Sequence, residues 1–75
     1  MNTVHVVDAR GMRCPWPALR AAKAMRAHNE VLILADDPIA PGELEALASR
    51  RGWQYMTVDD SRGPAFMLVS GQIPQ

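Results

Sequence analysis

Near its centre the sequence reads Val31-Leu32-Ile33-Leu34-Ala35, five apolar residues in succession. A strand that is apolar at every position is buried on both faces, and such strands lie inside a sheet, often beside a parallel neighbour. Asp36-Asp37-Pro38 follows at once and ends the strand, because proline lacks a backbone donor and aspartate favours turns. The pattern therefore predicts an interior strand over residues 31–35.

The segment after this strand has the features of a helix followed by a β-hairpin. Pro41 suits a first helical turn, and Gly52 suits the left-handed residue that ends a helix. The predicted buried stripe of this helix is Leu44, Leu47 and Ala48. Apolar and alternating patterns over 53–59 and 65–70, with turn residues between them, predict two antiparallel strands. Residues 71–75 are expected to form a loose tail.

The segment before the interior strand has the features of a strand, a turn and a helix. A short β-branched run over 4–8 predicts the strand, and Gly11 lies in the turn that follows. Good helix formers dominate residues 15–28 and predict the helix. The predicted core stripe of this helix is Leu19, Ala22 and Met25.

The order of elements is therefore strand, helix, strand, helix, strand, strand. Right-handed crossovers between parallel strands place both helices on the same face of the sheet. The predicted fold class is an α/β (α+β) two-layer sandwich, with a mixed four-stranded sheet and two helices on one face. A chain of 75 residues is too short for a second core, so a single domain over 1–75 is expected.

The composition excludes several classes of protein. Hydrophobic residues make up 48% and charged residues 21%, which is globular composition, and no apolar run approaches the roughly 20 residues of a membrane span. A single cysteine forms no internal disulfide, which favours a reducing compartment, and we expect the cytoplasm. One cysteine and two histidines are too few for a structural zinc site. We expect no metal, cofactor or membrane partner.

The charges are balanced overall but unevenly distributed. Residues 1–28 carry five cationic residues against one aspartate, a net of +4, and the acidic residues cluster over 29–60. A net charge of zero disfavours non-specific binding to nucleic acid. The basic part of the chain also contains the single cysteine, which is the candidate reactive residue.

The segment around this cysteine is Arg10-Gly11-Met12-Arg13-Cys14-Pro15-Trp16-Pro17. Pro15 suits the first helical position, which would make Cys14 the N-cap of the helix. The positive end of the helix and the nearby Arg10 and Arg13 would then favour the thiolate of Cys14. A free cysteine is also often a small buried apolar residue. The residues alone leave both interpretations open.

Residues 8–17 resemble the signature of the TusA/SirA-like sulfur carrier family, in which a strand ends near aspartate, glycine follows, and Cys-Pro-x-Pro opens a helix. Asp36-Asp37-Pro38 resembles the second recurrent segment of that family, and the length and element order are also similar. Three features depart from the family pattern. Trp16 stands between the prolines, no glycine precedes the second strand, and the usual basic end is missing. The last two leave the choice of partner open.

The resemblance implies a small sulfur carrier that relays sulfane sulfur as a persulfide on Cys14. The donor would be a cysteine desulfurase or a rhodanese-type protein, and the acceptor would serve tRNA thiolation or sulfur metabolism. The chain would be a sulfurtransferase-type carrier rather than a stand-alone turnover enzyme. Gly11, Pro15 and Pro17 would support the cysteine.

The residues around Cys14 also suggest a docking surface for these partners. Arg10, Arg13, Arg20 and Lys23 would form a basic collar around the thiol that attracts an acidic partner. Trp16, an aromatic residue beside the thiol, would add a docking contact. Exposed charges on a solvated helix face and a tryptophan folded against a proline ring are the alternatives.

Two other functions compete with the sulfur carrier. One is a thiol-based redox or regulatory module, although the chain has no second cysteine to resolve an oxidised Cys14. The other is an RNA-binding module, which the zero net charge disfavours. Neither histidine is expected to activate Cys14: His28 would lie roughly 21 Å away along the helix and His5 about 10 Å away along the strand. Asp37 is expected to cap the following turn.

Overall fold

The computed structural model describes residues 4–70, and its elements follow the predicted order. The six elements are β1 (His5–Asp8), α1 (Trp16–Met25), β2 (Glu30–Leu34), α2 (Ala40–Arg51), β3 (Gln54–Asp60) and β4 (Gly63–Val69). The tail predicted over 71–75 lies outside the described residues. Within residues 4–70, no helix is both long enough and apolar enough to cross a membrane.

The four strands form one mixed sheet in the order β1-β2-β4-β3. β1 and β2 are parallel, while β4 is antiparallel to both β2 and β3. The interior position predicted for residues 31–35 and the predicted hairpin are both confirmed. Because β4 lies between β2 and β3, the two edges of the sheet are β1 and β3.

The two helices cover one face of the sheet, which confirms the predicted two-layer architecture. The side chains of Val31 and Ile33 on β2 and of Phe66 and Leu68 on β4 are buried under the helices. A smaller cluster of Leu32, Leu34 and Ala65 lies on the opposite face, since successive side chains of a strand alternate between faces. The apolar run over 31–35 is explained by this double burial.

The helix α1 differs from its prediction in length and in orientation. It begins one residue later than predicted and ends at Met25. Its buried residues are Pro17, Ala21 and Met25, spaced four apart, and Leu19 is 52% exposed. Leu19 lies two residues beyond Pro17, which turns its side chain about 200° around the helix axis and toward solvent. The prediction that Leu19 belongs to the core is wrong.

The helix α2 agrees with its prediction. Leu44, Leu47 and Ala48 are buried, as the spacing predicts. Gly52 ends the helix with a φ of 73°, and its N–H is donated to the carbonyl groups of the last turn. A side chain at this left-handed position would be strained, which explains the glycine.

Candidate functional site

Cys14 lies in the loop between β1 and α1, and its side chain is half-buried. The loop turns at Gly11, whose φ of 83° is a left-handed conformation that glycine adopts without strain. The peptide bond between Cys14 and Pro15 is cis. Pro15 is the N-cap of α1 and Trp16 its first helical residue. The prediction that Cys14 is the N-cap is therefore wrong by one residue.

Two carboxylates from the segment after β2 accept hydrogen bonds from the backbone of this loop. Asp37 accepts a hydrogen bond from the Cys14 N–H through Oδ2 at 2.6 Å, and another from the Ile39 N–H through Oδ1 at 3.2 Å. Asp36 accepts the Gly11 N–H through Oδ1 at 2.9 Å. We call these contacts the aspartate clamp. The predicted capping role of Asp37 is confirmed, but its bond to Cys14 was missed by sequence reasoning.

The sheet explains why the clamp forms. β1 and β2 are parallel, and Asp8 is paired with Leu34, so the carboxyl ends of both strands lie next to each other at one end of the sheet. The Ala9 N–H extends the pairing to the Leu34 carbonyl at 2.8 Å. The segments that follow the two strands leave the sheet next to each other. The Asp36-Asp37-Pro38 turn therefore lies against the Cys14 loop. The general rule that parallel strands end at a shared edge could have identified this contact.

An open cleft of about 570 Å³ lies at this end of the sheet, where β1 and β2 end. Its walls come from the loop after β1 and from the segment between β2 and α2. The lining residues are Gly11, Met12, Arg13, Asp36, Asp37, Pro38 and Ile39. The aspartate clamp therefore forms one wall of a cleft beside Cys14.

Three large apolar side chains are exposed on the segments that adjoin the Cys14 loop and the cleft. Trp16 is 58% exposed, Leu19 lies one turn further along α1, and Ile39, also 58% exposed, lines the cleft. We call these three residues the apolar rim. Exposed aromatic and aliphatic side chains beside a concave site are typical of protein docking surfaces. Trp16 is thus accessible to a partner, and its docking role stays a prediction.

The relationship to known proteins is clear at this point. Residues 5–69 match the family model described as Sulfurtransferase TusA. The chain belongs to the TusA family. The matched range includes every helix and strand of the described structure, so membership applies to the whole fold.

Individual TusA-family relatives support the same assignment. A Neisseria meningitidis protein provisionally named as a sulfur carrier is 36% identical over 72 residues, which cover 92% of this chain and 95% of that protein. The sulfur carrier protein TusA of Allochromatium vinosum is 33% identical, over 84% of this chain and 87% of that protein. The crystal structure of a SirA-like protein from Desulfitobacterium hafniense has a TM-score of 0.78 and 28% identity, and the match covers 92% of this chain and 100% of that one.

The electrostatic surroundings of the thiol differ from the sequence-based prediction. Partial burial raises the pKa of the Cys14 thiol above its usual range, and the negative charges of Glu43 and Asp37 raise it further. The prediction that Arg10 and Arg13 favour the thiolate is therefore wrong for this chain in the absence of a partner. The side chains whose charges act on the thiol are the acidic Glu43 and Asp37.

A charge substitution on α2 tests this assignment. Glu43→Gln should lower the pKa of the Cys14 thiol, because one of the nearby negative charges is removed. The rate of alkylation by iodoacetamide near neutral pH should rise about twofold, as the thiolate fraction increases. Glu45→Gln is the matched control, since Glu45 acts on Tyr55 instead. A wild-type thiol that reacts faster than free cysteine, or equal rates for both variants, would contradict the assignment.

The four basic residues predicted to form a collar do not gather around Cys14. Arg10 is paired with Asp8 at 2.7 Å and also donates to the Arg62 carbonyl at 3.2 Å. Arg13 lines the cleft, and its charge helps to lower the pKa of Asp37. Arg20 and Lys23 line a separate groove. Of the four predicted cations, the cleft beside Cys14 is thus lined by Arg13, together with the carboxylates of Asp36 and Asp37.

Gly11 and the two prolines shape the loop and the start of α1, and their support of the cysteine stays a prediction. Gly11 provides the left-handed turn of the loop, Pro15 caps α1, and Pro17 is buried in its first turn. The two histidines stack against each other, with ring centroids 4.0 Å apart. Among residues 4–70, no group of three or more potential metal-ligating side chains comes together.

Proposed function

We propose that this chain carries sulfane sulfur as a persulfide on Cys14 and passes it from a donor protein to an acceptor protein. The TusA family is a family of sulfur carriers, and Cys14 is the single thiol of the chain. The observation that carries the proposal is the placement of that thiol. It lies on a clamped loop, beside an open cleft and an apolar rim on which a partner could dock.

The transfer step uses the cysteine sulfur as nucleophile and then as leaving group. The Cys14 thiolate attacks the terminal sulfur of the donor persulfide, a new S–S bond forms, and the donor sulfur leaves as a thiolate. The proton released by Cys14 balances the charge on the departing donor. An acceptor thiolate later attacks the terminal sulfur on Cys14, which regenerates the Cys14 thiolate. Each step exchanges one S–S bond for another, so no external oxidant or reductant is required.

The acidic neighbours of Cys14 define what the partner must provide. Asp37 and Glu43 help to keep the thiol protonated in the free carrier. A partner that places a cationic side chain near these two carboxylates would offset their charge and release the thiolate, which is the reactive form. Activation would then occur only within the complex. The chain therefore fits partners with a basic group and an apolar surface facing the Cys14 loop.

A cysteine desulfurase or a rhodanese-type protein has the required chemistry as donor, because each presents a protein-bound persulfide. We expect the acceptor to belong to tRNA thiolation or to another branch of sulfur metabolism. The apolar rim is the proposed docking surface for both partners. Direct transfer within such a contact protects the persulfide from free thiols.

Sulfur loading tests the proposed function. The protein is incubated with a cysteine desulfurase and cysteine, and its intact mass is measured. We expect a gain of about 32 Da, one sulfur atom, that a reductant reverses, as for other persulfides. No gain under conditions in which the same desulfurase loads another TusA-family carrier would contradict the proposal.

The docking role of the apolar rim leads to a second test. Trp16→Ala should reduce the rate of sulfur transfer at least about tenfold, because an exposed aromatic at the centre of a contact contributes strongly to binding. The alkylation rate of Cys14 should stay near the wild-type value. Met56→Ala is the matched control, since Met56 is 48% exposed on the edge strand β3. Equal transfer rates for the two variants would remove Trp16 from the docking surface.

A further inference from the structure

A second concavity lies between the edge strand β1 and the helix α1. Its volume is about 300 Å³, and it shares no lining residue with the cleft beside Cys14. Val7, Ala24 and Ala27 give it an apolar floor. The other lining residues all carry basic nitrogen: His5, Arg20, Lys23 and His28. We call this concavity the basic groove.

The two histidines come from separate parts of the chain and form one face of the groove. His5 lies on β1, and His28 follows the end of α1. Their rings are stacked, parallel within 5° and with centroids 4.0 Å apart. Two imidazolium rings at this distance would repel each other. A negative group in the groove that both rings line would offset that repulsion.

The two long cationic side chains of the groove are available to a ligand. No carboxylate lines the groove, and the ion pairs of the described chain join Arg10 to Asp8 and Arg62 to Asp60. The guanidinium of Arg20 contacts the Met12 sulfur at 3.7 Å, which is a weak acceptor. Arg20 and Lys23 therefore retain most of their hydrogen-bonding capacity for an anion.

We propose that the basic groove binds a tetrahedral oxyanion, either free or as the phosphate of a nucleotide. A guanidinium donates two parallel hydrogen bonds to such a group, and a lysine ammonium supplies a compact charge beside it. The imidazole N–H groups of His5 and His28 complete the set of donors. The volume is at the lower limit of small-molecule sites, which suits a phosphate-sized group. This site is independent of the sulfur chemistry at Cys14.

Titration of the protein with inorganic phosphate and with sulfate tests the site. The ring-proton signals of His5 and His28 are followed by NMR at one fixed pH and one fixed ionic strength. We expect saturable shifts of both signals together. Arg20→Gln combined with Lys23→Gln should weaken binding at least about tenfold, because two charge-assisted contacts are lost. Arg50→Gln combined with Arg51→Gln removes the same charge from α2 and should bind like the wild type.

A third titration distinguishes the two sources of the oxyanion. Adenosine monophosphate that binds more tightly than phosphate indicates a nucleotide, and equal affinities indicate a free oxyanion. Shifts that do not saturate, or equal weakening by the two double variants, would overturn the proposal. Sulfur loading without added oxyanion is measured on the same samples, so failure of the groove and failure of the carrier function are separate results.

Discussion

Cys14→Ser is expected to take up no sulfane sulfur at all. The serine hydroxyl is nearly the same size as the thiol, but it forms no persulfide, and the chain has no other cysteine. The intact mass after incubation with a desulfurase and cysteine should therefore stay unchanged, whereas the wild type gains about 32 Da. This is the largest effect that any single substitution should have on function.

The control for this loss is the thermal stability of the Cys14→Ser variant. The Cys14 N–H that binds Asp37 belongs to the backbone, so Cys14→Ser keeps the aspartate clamp and should unfold close to the wild-type temperature. A variant that is folded and still gains reducible sulfur would exclude Cys14 as the carrier residue. A variant that fails to fold is distinguished by its thermal unfolding curve.

Asp37→Ala should have the largest effect on stability. The substitution leaves the N–H groups of Cys14 and Ile39 without their acceptor, and Asp37 itself is only 8% exposed. Unpaired donors in a partly buried site are costly, and we expect Tm to fall by roughly 10 °C in a chain of this size. Removal of a nearby negative charge should also speed alkylation of Cys14. Differential scanning calorimetry and alkylation kinetics measure the two effects.

The pH dependence of stability provides an independent check on Asp37. Hydrogen bonds from the Cys14 and Ile39 N–H groups lower the pKa of Asp37 from its usual 3.8. The stabilisation that this carboxylate provides is therefore present above about pH 4 and is lost as the pH falls toward the lowered pKa. Asp37→Asn should weaken this acid-induced loss. Asp59→Asn, at an exposed position, is the control, and an equal response from both variants would contradict the role given to Asp37.

The parts of the fold that follow from local chemistry could be predicted from the sequence. The interior strand was indicated by an unbroken apolar run, and the end of α2 by Gly52. Each of these signals depends on residues that are neighbours in the chain, so no knowledge of the folded structure was required. The element order then restricted the topology to a sheet with both helices on one face.

The orientation of α1 could not be predicted in the same way. Leu19 is the largest aliphatic residue of that helix, and spacing alone placed it in the core. The buried face is instead the row of Pro17, Ala21 and Met25. This orientation leaves Trp16 and Leu19 exposed to solvent. The exposure of Leu19 was missed for this reason, whereas the docking contact by Trp16 was predicted.

The chemistry of the site was predicted in part. The sequence placed Cys14 between the first strand and the first helix, one residue away from its true relation to the N-cap, and it indicated the turn role of Asp37. The contact between them joins residues 23 positions apart, and the charge of Glu43 reaches the thiol from another helix. Electrostatic environments of this kind depend on which elements pack together, so the predicted helix start and the nearby arginines gave the wrong direction for the pKa of the thiol.

The aspartate clamp has a consequence for the kinetics of repeated transfer. The loop that presents Cys14 is tied to the end of β2, an interior strand of the sheet. A partner therefore meets a loop that is already ordered, and little conformational entropy is lost when the complex forms. A relay that must bind one protein, release it and bind another benefits from such preorganisation, since contacts of modest area and short lifetime are then sufficient.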